Sequence, residues 1–97
     1  MGQDLSFYEK KFNDSSTTAD QLVRFAEGLF DETVRICDRY IELDKKLGVQ
    51  AAKPVLETCE RLRKDLAAVG SRDAVHKVAL NALKNARDAE MLLLMYY

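Results

Sequence analysis

The stretch TADQLVRFAEGLFDETVRICDRYIELDKKLG, residues 18–48, decides the fold. Leu22, Ala26, Leu29, Thr33, Ile36, Tyr40, Leu43 and Leu47 recur in it at alternating spacings of four and three. That repeat is the seam of a helix whose apolar stripe faces another helix, as in a coiled coil. The start is signalled as well. In Thr18-Ala19-Asp20-Gln21 the threonine hydroxyl can take an orphan backbone N–H while Gln21 reaches back to the cap. Lys45 and Lys46 suit a last turn, and Gly48 falls just past it, where glycine commonly closes a helix. The reading is one helix over residues 18–47, roughly 43 Å long. Val23, Phe25, Phe30 and Cys37 widen its stripe beyond what one partner helix covers. A broad stripe suits a bundle helix with two neighbours. Gly28 is out of place, because a glycine inside a helix costs about 1 kcal/mol relative to alanine. Close approach of another backbone would account for it, or tolerated drift.

Working outward, Asp4 can cap a short helix over residues 4–13 that carries Leu5, Tyr8 and Phe12 on one side, with Phe7 beside them. Asn13 to Thr17 is a polar loop of residues whose side chains compete for backbone hydrogen bonds. After the long helix, Val49 to Lys53 reads as a link. Pro54 suits a first helical position, so the next helix is expected over 54–69, with Val55, Cys59, Leu62, Leu66 and Val69 as its seam. Gly70 ends it and Ser71 caps a last helix over 72–95. Val75, Ala79, Ala82, Ala86, Ala89 and Leu93 form that seam, and its alanines let helix axes come close. The chain ends Met91-Leu92-Leu93-Leu94-Met95-Tyr96-Tyr97, apolar nearly all round. A segment apolar on every side needs cover on every side.

The fold class expected is therefore all-α: a single helical domain over 1–97, an antiparallel bundle of three main helices plus a short N-terminal one. The composition agrees, at 47% hydrophobic and 32% charged with four glycines and one proline. That is too apolar for disorder and too rich in helix formers for a sheet. A chain of 97 residues buries only about 60–65% of its unfolded surface, which favours association, most simply as a homodimer.

Net charge is −1, but it is unevenly spread. Residues 1–44 carry ten acids and five bases, and residues 45–97 carry ten bases and six acids. Such halves can attract one another within a chain or between chains. Acids interleave with the bases around Arg61, Arg63 and Lys64, so nucleic acid is not an expected partner. No apolar run reaches the ~20 residues of a membrane span, and no secretory signal is seen. Met1-Gly2-Gln3-Asp4-Leu5-Ser6 fits the N-myristoylation pattern. One acyl chain needs a second, basic anchor, and the acidic first half offers none. Cys37 and Cys59 lie on apolar faces without a CxxC pattern, as reduced core residues of a cytoplasmic protein do.

Chemistry is scarce. His76 is the one histidine, with no ligand partners at helical spacing, and reads as a surface or capping residue. Cys37 would need an imidazole beside it to act as a nucleophile. No catalytic residues, metal or cofactor are therefore expected. The function expected is a non-enzymatic interaction module: a regulator, adaptor, chaperone or inhibitor that binds another protein, a second copy of itself, or both. Leu92, Leu94, Tyr96 and Tyr97 are its first candidate contact residues, with Phe7 and Tyr8 next. The alternative is a site between subunits that sequesters or rearranges an anionic small molecule, which needs only well-placed cations. Two or more bases converging on one closed pocket would mark it.

Overall fold

Four helices follow one another in the computed structural model, which describes residues 5–95: α1 (Leu5–Asn13), α2 (Ala19–Leu43), α3 (Lys45–Ala68) and α4 (Arg72–Leu94). No strand occurs among the described residues. The caps explain where two of the helices start. Thr18 Oγ1 accepts the Gln21 N–H at 3.2 Å while Gln21 Oε1 accepts the Thr18 N–H at 2.9 Å, so the capping box of α2 is complete. Ser71 Oγ accepts the Ala74 N–H at 3.2 Å and opens α4.

The helix expected over 18–47 stops at Leu43, and the helix expected over 54–69 starts at Lys45. One extended residue, Asp44, serves both ends. Its N–H closes α2 onto the Tyr40 carbonyl at 3.1 Å. Its carboxylate Oδ1 accepts the Lys46 and Leu47 N–H groups at 3.1 and 3.0 Å, capping α3. Gly48 is therefore not the end of a helix but a buried residue inside α3, without positive φ. Pro54 is likewise interior to α3. It cannot donate to the Gln50 carbonyl, but both residues are exposed on the solvent side.

The main core joins Leu22, Ala26, Leu29 and Phe30 of α2 to Cys59, Leu62 and Leu66 of α3 and to Val75, Ala79, Ala82 and Ala86 of α4. The seam alanines of α4 are almost wholly buried, as their small size suggested. Leu5, Tyr8 and Phe12 of α1 complete this core against α2 and α4. A second, smaller cluster joins Cys37, Ala52, Val55 and Ala89, with Ile36, Ile41, Leu56 and Leu92 packed against it. Polar groups in the interior are satisfied. Thr33 Oγ1 donates to the Leu29 carbonyl one turn back at 2.8 Å. Asn85 Nδ2 donates across to the Val55 carbonyl of α3 at 3.0 Å. No described helix is long and apolar enough to cross a membrane.

Candidate interaction surface

Three pieces of the chain meet at one end of the bundle. Gly48 lies against the Ile41 backbone at the α2–α3 hinge. Ile41 and Leu92 pack on the same small cluster. The hinge and the last turns of α4 therefore stand at the same end. Here the amphipathic pattern runs out. Leu43, Leu47 and Val49 around the hinge are exposed, as are Met91 and Leu94 of α4 and Met95 just past its end. Leu80 is the remaining large apolar side chain exposed among the described residues. Leu47 is 60% exposed, Leu94 64% and Met95 80%.

At roughly 100 Å² for each of the five side chains more than half exposed, this end offers on the order of 500 Å² of apolar surface. That is more than half of the ~800 Å² that one partner contributes to a standard stable interface. Asp38, Glu42, Lys45, Lys46, Asp88 and Glu90, which flank these residues in sequence, make no ion pairs among the described residues.

The residues singled out in the sequence divide. Leu94 belongs to this end and is free to be covered. Leu92 is half-buried and faces inward on the small cluster. Tyr96 and Tyr97 lie outside the described residues. Tyr8 is only 6% exposed and is part of the core, so it offers no free surface. Phe7 is half-buried, edge-on to Tyr8 at 5.5 Å and to Phe25 at 5.7 Å, with the Lys11 ammonium near its face. The arm thus folds back on its own bundle. Met91 and Met95 belong to the apolar tail that needs cover, whereas Leu47 and Val49 are not among the contact residues expected from the sequence. Leu47 occupies a seam position, so its exposure follows from the hinge and not from its spacing.

The arm's end is tied down by side chains of α4. His76 Nε2 lies 2.7 Å from the Phe12 carbonyl oxygen, so that nitrogen carries the proton and caps α1. Arg72 donates to the Thr17 carbonyl at 2.9 Å and to the Asp14 carbonyl at 3.4 Å. Arg87 pairs with Glu9. These contacts hold His76 against α1, whereas Cys37 lies in the small cluster.

Both cysteines are free and buried. Burial pushes the Cys37 thiol up to about 11 and raises that of Cys59 as well. Cys59 donates its S–H to the Phe30 carbonyl at 3.8 Å. A thiol held neutral in this way is inert. Burial and the neighbouring Glu32 carboxylate raise the Tyr8 phenol too, and Glu32 is paired with Arg35 at 2.6 Å. Between α2 and α3 a shallow groove of about 200 Å³ is lined by Val23, Glu27, Phe30, Arg63, Leu66 and Ala67. Its one base, Arg63, is bound to Asp31 at 2.9 Å and lies over the Phe30 ring.

No family of known proteins, no curated protein and no solved structure matches this chain.

Proposed function

We propose that this chain is a small non-enzymatic protein–protein interaction module, a cytoplasmic regulator, adaptor, chaperone or inhibitor, that associates through the apolar end of its bundle. The observation that carries the reading is the exposure of Leu47, Val49, Met91, Leu94 and Met95 about one end, while elsewhere on α3 and α4 Leu80 is the one large apolar side chain exposed among the described residues. In this reading the three long helices run antiparallel, which brings the start of α3 and the end of α4 side by side. The association is homodimeric, with or without a further protein partner. The anionic-ligand alternative has less support: the α2–α3 groove holds one base, and a carboxylate already neutralises it.

The test is a pair of charges placed on the exposed end, Leu47→Glu with Leu94→Glu. Both side chains are more than half exposed, so the fold is expected to keep its thermal midpoint within a few degrees. Sedimentation is expected to show loss of association. Unchanged sedimentation of a folded double variant would count against this end as the docking surface.

A further inference from the structure

We propose that the apolar end is covered by a second copy of this chain, and that α2 and α3 straighten through Asp44 into one helix so that two molecules exchange their α3–α4 halves. The inference rests on the reading of that end as a docking surface. It adds who covers it and how.

The first argument is the repeat itself. The four-three seam from Leu22 to Leu47 runs through the hinge without a break. In the hairpin it is packed inside through Tyr40 and then abandoned, with Leu47 left 60% exposed beyond the turn. A hairpin has no use for a seam position past its own corner. A continuous helix does.

The second argument is the hinge. It is one residue long, and neither glycine nor proline lies between Ile41 and Leu47. Only Asp44 has to change from extended to helical backbone for the two helices to join, and exchange of identical elements through a hinge is a low-cost route to a dimer. Straightening gives the Lys45, Lys46 and Leu47 N–H groups helical acceptors at Ile41, Glu42 and Leu43. It also sets Glu42 and Lys46 one turn apart, acid before base, a pair that the hairpin does not make.

The third argument is charge. Asp44 divides the chain where its balance changes sign, ten acids to five bases before Lys45 and ten bases to six acids from there on. The ion pairs Asp31–Arg63 and Glu9–Arg87 both join the acidic half to the basic half. Exchange keeps these contacts and every core contact between the halves, but makes them between molecules. Because the hinge stands at the apolar end, the two exchanged bundles abut there. Leu47, Val49, Met91, Leu94 and Met95 of both copies then face one another around a two-fold axis, on the order of 1,000 Å² in all.

The test uses the full chain carrying Asp31→Cys and Arg63→Cys, positions in contact across α2 and α3. Cys37 and Cys59 are buried at 0% and 2% exposure and do not compete for reagent. Samples are sedimented, treated with a short bismaleimide and run on a denaturing gel. Covalent dimers, absent from either single variant, are expected and support exchange. Dimers in sedimentation that give only links within one chain would overturn exchange and leave the docking surface standing. Monomers at every concentration would overturn both. A second pair of variants reads the hinge directly. Asp44→Ala removes the cap of α3 and is expected to raise the dimer association constant roughly tenfold. Two glycines inserted after Asp44 relax the hinge and are expected to lower it. No change with either variant would count against straightening at Asp44.

Discussion

Gly48 of α3 lies so close to Ile41 of α2 that a β-carbon on it would stand 2.7 Å from the Ile41 Cα and 3.1 Å from the Tyr40 carbonyl oxygen. Both neighbours are backbone, so neither can rotate away. The chain turns on one residue and the new helix must cross the old one at once, which leaves no room for a side chain. Gly48→Ala is therefore expected to destabilise the protein by about 2 kcal/mol or more, despite a gain of about 1 kcal/mol in helix propensity. Gly28 is the control. The nearest atom to a β-carbon there is Tyr8 Oη at 3.4 Å, the far end of a side chain that can give slightly. Gly28→Ala is expected to be neutral or stabilising by up to ~1 kcal/mol. Urea unfolding of the two variants should show opposite signs, and a stabilised Gly48→Ala would mean that the crossing is slack.

These two glycines also show what the sequence could and could not convey. The start of α2 was legible because its cap is local: Thr18 and Gln21 lie three residues apart and satisfy each other whatever the rest does. The core faces were legible because period and burial agree along α2 to Tyr40 and along α4 to Ala89. The hinge was not. Around Asp44 the apolar repeat continues, and the reason to turn is the packing of α3 on α2, which no local pattern encodes. Pro54 suggests a start because prolines favour first turns, yet α3 has already begun at Lys45. Of the candidate contact residues, Leu94 stood where a partner can reach it, while Tyr8 was drawn into the core by the arm. Which apolar residue stays outside depends on where a short arm folds, and spacing does not fix that.

Asn85 sets how α4 sits against α3. It is 6% exposed and gives its Nδ2 hydrogen to the Val55 carbonyl at 3.0 Å. Asn85→Asp removes the donor and sets a carboxylate beside a carbonyl oxygen in the interior. At pH 7 a loss of about 3 kcal/mol or more is expected, from the unmade hydrogen bond and the buried charge. Burial raises the pKa of that new acid, so lowering the pH protonates it and restores a donor. The deficit relative to the parent should therefore shrink as pH falls toward 5. A deficit that does not change with pH would mean that the side chain has turned out to solvent.

The buried thiols predict a loss of stability at high pH. Cys37 titrates at about 11 in the fold, against an ordinary value of 9.0, because burial penalises the thiolate. Between these values the unfolded chain has released the proton and the folded chain still holds it. Stability is full below pH 9, falls between 9 and 11, and levels off above that, by roughly 2–3 kcal/mol from Cys37. Cys59 is shifted in the same direction for the same reason. Urea unfolding across this range should show a shallower decline for Cys37→Ala than for the parent. A disulfide-exchange reagent at pH 8 should find neither thiol until denaturant is added. Rapid labelling of the native protein would show that the small cluster around Cys37 opens easily.

The arm is held by a few polar contacts laid over an apolar seat, and the two can be separated. Leu5, Tyr8 and Phe12 supply the burial, while His76 and Arg72 of α4 fix where α1 ends. A hydrogen bond of this kind contributes about 1 kcal/mol. His76→Ala also leaves the Phe12 carbonyl without the donor that caps it. For the combined variant His76→Ala with Arg72→Ala, the amides of residues 9–13 are expected to exchange with solvent about tenfold faster or more. Amides of α3 around Leu62 should change little, because the arm packs its backbone on α2 and α4 and α3 opens with the core. Equal acceleration in both regions would show that the arm and the bundle unfold as one unit. No acceleration in either would show that the apolar seat alone holds the arm in place.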